Sequence, residues 1–197
     1  MFAKRLVFAL VALLGCTFVA AQEQSQREER EVAKAQEISA ERQEIITMAQ
    51  STMSRLRMEA PESAALIDKA HGYAVFDVTK GGLVVSGAGG KGVAQLQGGR
   101  EPVFMRMRSV GVGLTAGGES YKMVVLFEDA ATYDRFLKGD WDVGGGAQAA
   151  AGRSGAGAAT SFENGVALYH LSDAGLIGSI DVSGVKFSRD DDLNASI

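Results

Sequence analysis

GGLVVSGAGGKGVAQLQGGREPVFMRMRSVGVGLTAGG, residues 81–118, is the stretch that decides the fold. The apolar runs LVV, VFM and VGVGL alternate with glycine pairs, and no window repeats at the helical period. Residues 83–88 and 92–97 read as a strand pair around Gly89-Gly90-Lys91, with Gly98-Gly99-Arg100-Glu101-Pro102 as the next turn. Residues 103–108 alternate: Val103, Met105 and Met107 on one face, Phe104, Arg106 and Arg108 on the other. Residues 110–116 and 120–127 read as a further pair around Gly117-Gly118. Glycine inside a strand marks a bulge, a bend or a close backbone neighbour, so glycines at this density predict a small, strongly curved sheet.

Working outward, Tyr73-Ala74-Val75-Phe76-Asp77-Val78 is a strand, and Thr79-Lys80-Gly81-Gly82 reads as its turn. Upstream, Pro61 suits a first helical position and Glu62 the positive helix end. Ala64 to Ile67 supply an apolar face, and Lys69, His71 and Gly72 close a short helix. Downstream, EDAATYDRFL (128–137) is a helix capped by Asp129, facing inward through Tyr133, Phe136 and Leu137, and stopped by Gly139. Residues 144–157 are nearly all Gly and Ala, which fits either a closely covered strand or a loop. Residues 165–171 and 176–182 form the last strand pair, Lys186-Phe187 adds a short piece, and the polar tail holds one helical turn behind Asp190. The expected architecture is α+β: N-terminal helices, then a curved, mostly antiparallel β-sheet or small barrel with one inserted helix.

The N-terminal third is different material. Residues 22–57 are dense in Glu, Gln and Arg without Gly or Pro, and Ile46, Ala49, Met53 and Leu56 form a helical stripe. Such a helix either packs its stripe on the sheet domain or lies on a membrane or partner, and eight acids against six bases over residues 22–60 match anionic lipid poorly. Before it, Lys4 and Arg5, the run Leu6 to Leu14 and the small residues Val19, Ala20 and Ala21 have the order of a secretory signal peptide. Two ends of this leader stand as alternatives: cleavage after Ala21, or lipidation of Cys16 in a lipobox-like Leu13-Leu14-Gly15-Cys16. The chain thus divides into a signal peptide (1–21), a polar helical segment (22–58) and a folded domain (59–197). An exported protein of the periplasm or outer membrane is expected, with secretion as the alternative. Cys16 is the only cysteine, so no internal disulfide is available and packing must stabilise the fold.

The formal net charge is −4, becoming −6 once Lys4 and Arg5 leave with the leader, which argues against a nucleic-acid binder. Gly87-Ala88-Gly89-Gly90-Lys91-Gly92 fits G-x-G-x-x-G, but residues 93–97 alternate like a strand where a phosphate site needs a helix N-terminus. A G-x-S-x-G elbow is missing, and His71 and His170 are the only histidines, so no acid, base and nucleophile set is visible. Asp190-Asp191-Asp192 lacks the glycine and distal Glu of a calcium loop and reads as a capping, solvated tail. No enzyme activity, metal or cofactor is expected. The cations that could converge are Lys80 and Lys91 in turns, Arg106 and Arg108 on one strand face, and Arg153 in the glycine-rich segment. Together they would suit phosphate head groups, through charge and exposed backbone N–H. The alternative is dispersed, solvated charge.

The order of motifs resembles the SYLF domain family. Gly72-Tyr73-Ala74-Val75-Phe76, Lys80-Gly81-Gly82-Leu83-Val84-Val85 and the Gly87 to Val93 run carry its opening. Pro102-Val103-Phe104, Ser109 to Gly113, Ala151-Gly152-Arg153, Tyr169-His170-Leu171-Ser172, Gly175-Leu176-Ile177-Gly178 and Asp190 to Asn194 follow in order, so the resemblance covers roughly residues 60–194. It implies a lipid-binding module: eukaryotic SYLF domains bind phosphoinositides and some bind actin, while bacterial members are envelope proteins or lipoproteins. The expected partner is anionic phospholipid at a membrane surface, contacted by Lys80, Lys91, Arg106, Arg108 and Arg153, and no nucleic acid. The second reading is a structural or interaction module forming a homo-oligomer through the helix of residues 22–57.

Overall fold

The computed structural model describes residues 2–81, 85–99, 101–112, 119–139, 159, 161–173, 175–176 and 185–195, with side chains from residue 22 onward except at 85–86, 110–112 and 119. Its elements are helix α1 (Phe2–Glu59), a 3₁₀ turn (Pro61–Ser63), α2 (Ala64–Lys69), strands β1 (Gly72–Gly81), β2 (Val85–Leu96), β3 (Val103–Val112) and β4 (Glu119–Phe127), α3 (Ala130–Leu137), β5 (Val166–Ser172), β6 (Gly175–Leu176), β7 (Val185–Arg189) and α4 (Asp191–Asn194). The chain divides into two compact units, Met1–Glu41 with Ile197, and Arg42–Ser196. The first is helical throughout its described length. The second holds one seven-stranded sheet in the order β6-β5-β4-β1-β2-β3-β7, every neighbouring pair antiparallel. The fold is α+β, and its sheet is open rather than closed into a barrel.

Two expected turns are strand instead. β2 passes unbroken through Gly89-Gly90-Lys91, each residue paired with both β1 and β3, and β1 continues through Lys80 to Gly81. Short-range turn chemistry suggested hairpins there, but a ladder bonded on both edges outweighs a local glycine preference. Among the described residues, 110–112 do not pair with 120–127 as expected: β3 lies between β2 and β7, and β4 between β1 and β5. β1 thereby becomes a central strand, which suits its run of apolar residues. Residues 113–118, the Gly/Ala-rich segment 144–157 and residues 177–182 lie outside the described residues.

One face of the sheet is apolar along its length. Ala74, Phe76, Val78, Met105, Met107, Tyr121, Met123, Val125, Phe127, Val166, Leu168, Val185 and Phe187 are buried there with Tyr133 and Phe136 of α3. The Phe76, Phe136 and Phe187 rings meet with centroids 5.0–6.2 Å apart, within aromatic-pair range. α3 starts where expected, the Asp129 carboxylate accepting from Thr132 N at 2.8 Å, and Gly139 ends it at φ 75°. The glycines of β2 serve this face. A Cβ at Gly92 would lie 2.2 Å from the Val75 carbonyl oxygen and 2.5 Å from Cδ1 of Phe76, so the Phe76 ring occupies the space a side chain would need.

The other face is covered only in part. Val75, Val93, Phe104, Val124, Leu126, Tyr169 and Leu171 are buried on it, together with Ile45, Ala49, Met53 and Leu56 of α1 and Leu66 and Ile67 of α2. Gln97 Nε2 donates to the Ile67 carbonyl at 2.5 Å and Arg55 donates to the Ser172 carbonyl, tying both helices to strand ends. Ala49, Met53 and Leu56 of the expected stripe thus pack within the sheet unit, with Ile45 buried and Ile46 half-buried, which is the plainer of the two sequence readings. Beyond Val75 the same face turns polar, with Asp77 and Thr79 exposed.

This arrangement separates the glycines of β2 by function. Gly92→Ala is expected to lose about 1–3 kcal/mol in urea unfolding through overpacking against Phe76. Gly89→Ala, whose Cβ would meet nothing within 4 Å, is expected to stay within about 0.5 kcal/mol of wild type.

Candidate anion-binding groove

The strand register brings the uncovered half-face into two rows. Lys122, Asp77, Lys91, Arg106 and Ser188 stand side by side on β4, β1, β2, β3 and β7, and Thr79, Gly89, Arg108 and Lys186 form the next row. Directly opposed residues lie about 5 Å apart across a ladder, close enough for side chains to interact. An open groove of about 560 Å³ runs along these rows, lined by Asp77, Thr79, Gly89, Gly90, Lys91, Arg106, Met107 and Arg108. Gly81, Gly87 and Gly89 point the same way from β1 and β2, and a Cβ on any of them would meet no described atom closer than 3.7 Å. The floor is therefore bare backbone and the rim is cationic.

Three of the five expected cations meet here: Lys91, Arg106 and Arg108. Lys80 stands on the opposite face of β1, half-buried between Ala88 and Glu119. Arg153 and the side chain of Cys16 lie outside the described residues. Lys91 is not at a hairpin tip but in mid-strand, and the amides of the glycines around it are engaged in the ladder. The groove therefore offers side-chain charge rather than exposed backbone N–H. Lys122 and Lys186 were missed from sequence. They join the rows only through the β1–β4 and β3–β7 pairings, which link residues 45 and 78 positions apart.

The charges are already partly paired. Lys122 Nζ lies 2.6 Å from Asp77 Oδ2. Arg106 makes a fork to Asp190, Nε to Oδ2 at 2.5 Å and Nη2 to Oδ1 at 2.9 Å, with Asp192 Oδ2 at 3.6 Å from Nη2. The Asp190 side chain is fully buried while that of Arg106 keeps 35% exposure. Burial works to raise the Asp190 pKa, but the hydrogen bonds from Arg106 and Leu193 N, and the charges of Arg106 and Lys91, outweigh it and hold it below the ordinary carboxylate value.

Asp190 is also the N-cap of α4, accepting from Leu193 N at 3.3 Å. The Asn194 amide then bonds β3, its Oδ1 accepting from Phe104 N at 3.0 Å and its Nδ2 donating to Phe104 O at 2.7 Å. Arg42 of α1 closes the far end of α4, donating to the Leu193 carbonyl at 2.8 Å and the Ala195 carbonyl at 2.5 Å, with its guanidinium 5.8 Å from the Phe104 ring centroid. The carboxylate that might have held calcium is spent on a cap and an ion pair. The tail is the expected capping turn, but its first residue is not solvated.

Neither histidine belongs to the groove. His71 is exposed beside Tyr133, and His170 is 3% exposed on the apolar face, edge-on to Tyr121. Burial pushes the His170 pKa down to about 4, and among the described residues its Nε2 has no hydrogen-bond partner.

Residues 108–197 match the Ysc84 family, described as a Las17-binding protein actin regulator. The matched residues resemble a Ysc84 (SYLF) domain. Beta cell expansion factor A of Aeromonas veronii is 36% identical over 149 residues, 76% of this chain. The chain spans 57% of that protein's length. The SYLF match includes Arg108, Lys122, Lys186 and the whole Asp190–Asn194 clamp, while Lys91 and Arg106 precede it.

Two stability outcomes follow from the buried groups. Asp190→Ala is expected to lose about 2 kcal/mol or more by removing a cap and a charge partner, measured by urea unfolding at neutral pH. For His170 the folded pKa lies below the unfolded one. Its contribution is fully present above pH 6.5 and is lost as pH falls towards about 4, roughly 3 kcal/mol over the window. Unfolding free energy measured against pH should show that slope in wild type and a flatter one in His170→Leu.

Proposed function

We propose that this protein is a non-catalytic lipid-binding protein of the cell envelope that holds anionic phospholipid head groups at the groove of β1, β2 and β3. The observation that carries the reading is the convergence of Lys91, Arg106 and Arg108 on an uncovered sheet face, flanked by Lys122 and Lys186. Five cations stand against the three carboxylates of Asp77, Asp190 and Asp192, so the face is locally positive on a chain of net charge −4. Each Lys or Arg held near an anionic membrane contributes on the order of 1 kcal/mol. Resemblance to the SYLF family supports lipid binding in general terms, and the groove supplies the preference for an anion. A non-catalytic role fits a lining without histidine or cysteine, whose one carboxylate is paired with Lys122. Export to the periplasm or outer membrane follows from the leader at residues 1–21, with Cys16 or Gln22 as the mature first residue.

A second reading, self-association through the N-terminal helix, is favoured by one observation. Residues 22–34 of α1 are exposed, including Val32 at 57%, and a helix polar on all sides gains little from burial by itself.

Co-sedimentation of the mature protein with phosphatidylcholine vesicles, with and without phosphatidylglycerol, tests the first reading. Wild type is expected to favour the anionic vesicles, and Lys91→Glu with Arg108→Glu to lower that partition at least about tenfold without changing the melting temperature. Equal partition of wild type onto both vesicles would sink it. Deleting residues 22–41 should abolish any oligomer seen by size exclusion under the second reading and leave vesicle binding intact under the first.

A further inference from the structure

We infer that Asp192 and Asp77 are built-in competitors for the anion, and that they set how tightly the groove holds a phosphate-bearing membrane surface. The inference rests on the anionic-lipid reading and adds its regulation. The three acids at the groove do different jobs. The Asp190 side chain is fully buried and its oxygens satisfy Arg106 and the first turn of α4, so it belongs to the fold. Asp192 is the opposite case: its side chain is 72% exposed, and its Oδ2 stands 3.6 Å from Arg106 Nη2, longer than a hydrogen bond. It neutralises Arg106 from the solvent side without being needed to satisfy it. Asp77 is 49% exposed, lies 2.6 Å from Lys122 Nζ, and faces Lys91 across the ladder on its other side.

A head-group phosphate offers these cations the same charge-assisted contacts that the two carboxylates supply. Bound ligand and intramolecular carboxylate therefore compete for Arg106, Lys122 and Lys91. An exposed ion pair is worth roughly 0.2–1 kcal/mol, so displacing one carboxylate weakens binding by a factor of about three. A merely structural salt bridge behaves differently: its loss lowers stability and leaves affinity unchanged.

The test compares wild type, Asp192→Asn, Asp77→Asn and Asp191→Asn by partition onto phosphatidylcholine vesicles containing phosphatidylglycerol, with pure phosphatidylcholine as reference. Asp191→Asn makes the same change in net charge at an exposed position that forms none of these ion pairs. Asp192→Asn and Asp77→Asn are each expected to raise partition about threefold, and the gain should shrink in high salt, while Asp191→Asn stays near wild type. Melting curves establish that each variant is folded, and Asp192→Asn carries the test alone if Asp77→Asn is destabilised. An equal gain in Asp191→Asn, or wild-type affinity in Asp192→Asn while wild type still prefers anionic vesicles, would overturn the inference and leave the lipid reading standing. If no variant distinguishes anionic from neutral vesicles, the lipid reading falls and this inference with it.

Discussion

The fork between Arg106 and the buried carboxylate of Asp190 joins β3 to the end of β7 and the start of α4. A carboxylate without water must be compensated by charge and hydrogen bonds together, and Asp190 receives both, from β3 and from the first turn of α4. Through that one group the edge strand β7, the closing helix and the groove wall are fixed with respect to one another. Asn194 and Arg42 extend the tie to the backbone of β3 and to α1. The same fork commits much of the Arg106 charge to the fold, and Lys91 adds its own charge to the field around Asp190.

The groove exists because one face of the sheet is only half covered. Where α1 and α2 pack, the strands carry Val75, Val93, Val124 and Phe104; where they do not, the same strands carry Asp77, Lys91, Lys122 and Arg108. A strand exposed on one face alternates and a strand buried on both is continuously apolar. β1 switches from the second pattern to the first at Asp77. The site is the place where the helical layer stops.

Much of this was legible in the sequence, and the reason differs by element. The α3 helix, its Asp129 cap and its Gly139 stop were read correctly because caps and stops are local chemistry. The two faces of residues 103–108 were legible because alternation is local as well. The route of β2 was not. Its glycines look like turns to any short window, and only the ladders on both sides, with Phe76 lying against Gly92, reveal a strand. The candidate site divided along the same line. Arg106 and Arg108 could be grouped from one strand, whereas the misplacement of Lys80 and the omission of Lys122 and Lys186 come from strand order, which no single segment encodes.

The strand order also has a consequence for how the molecule comes into being. β7 and α4 are the last described elements in the chain, yet they seal the edge of β3, a strand made some eighty residues earlier. Until they arrive, a growing chain presents that edge with unpaired backbone groups, a template for joining other chains. The cationic rim is then incomplete, since Lys186 has not yet been placed beside Arg108. Completion of the sheet and completion of the cationic face are a single late event, so a nascent chain acquires that face only as it loses its tendency to aggregate.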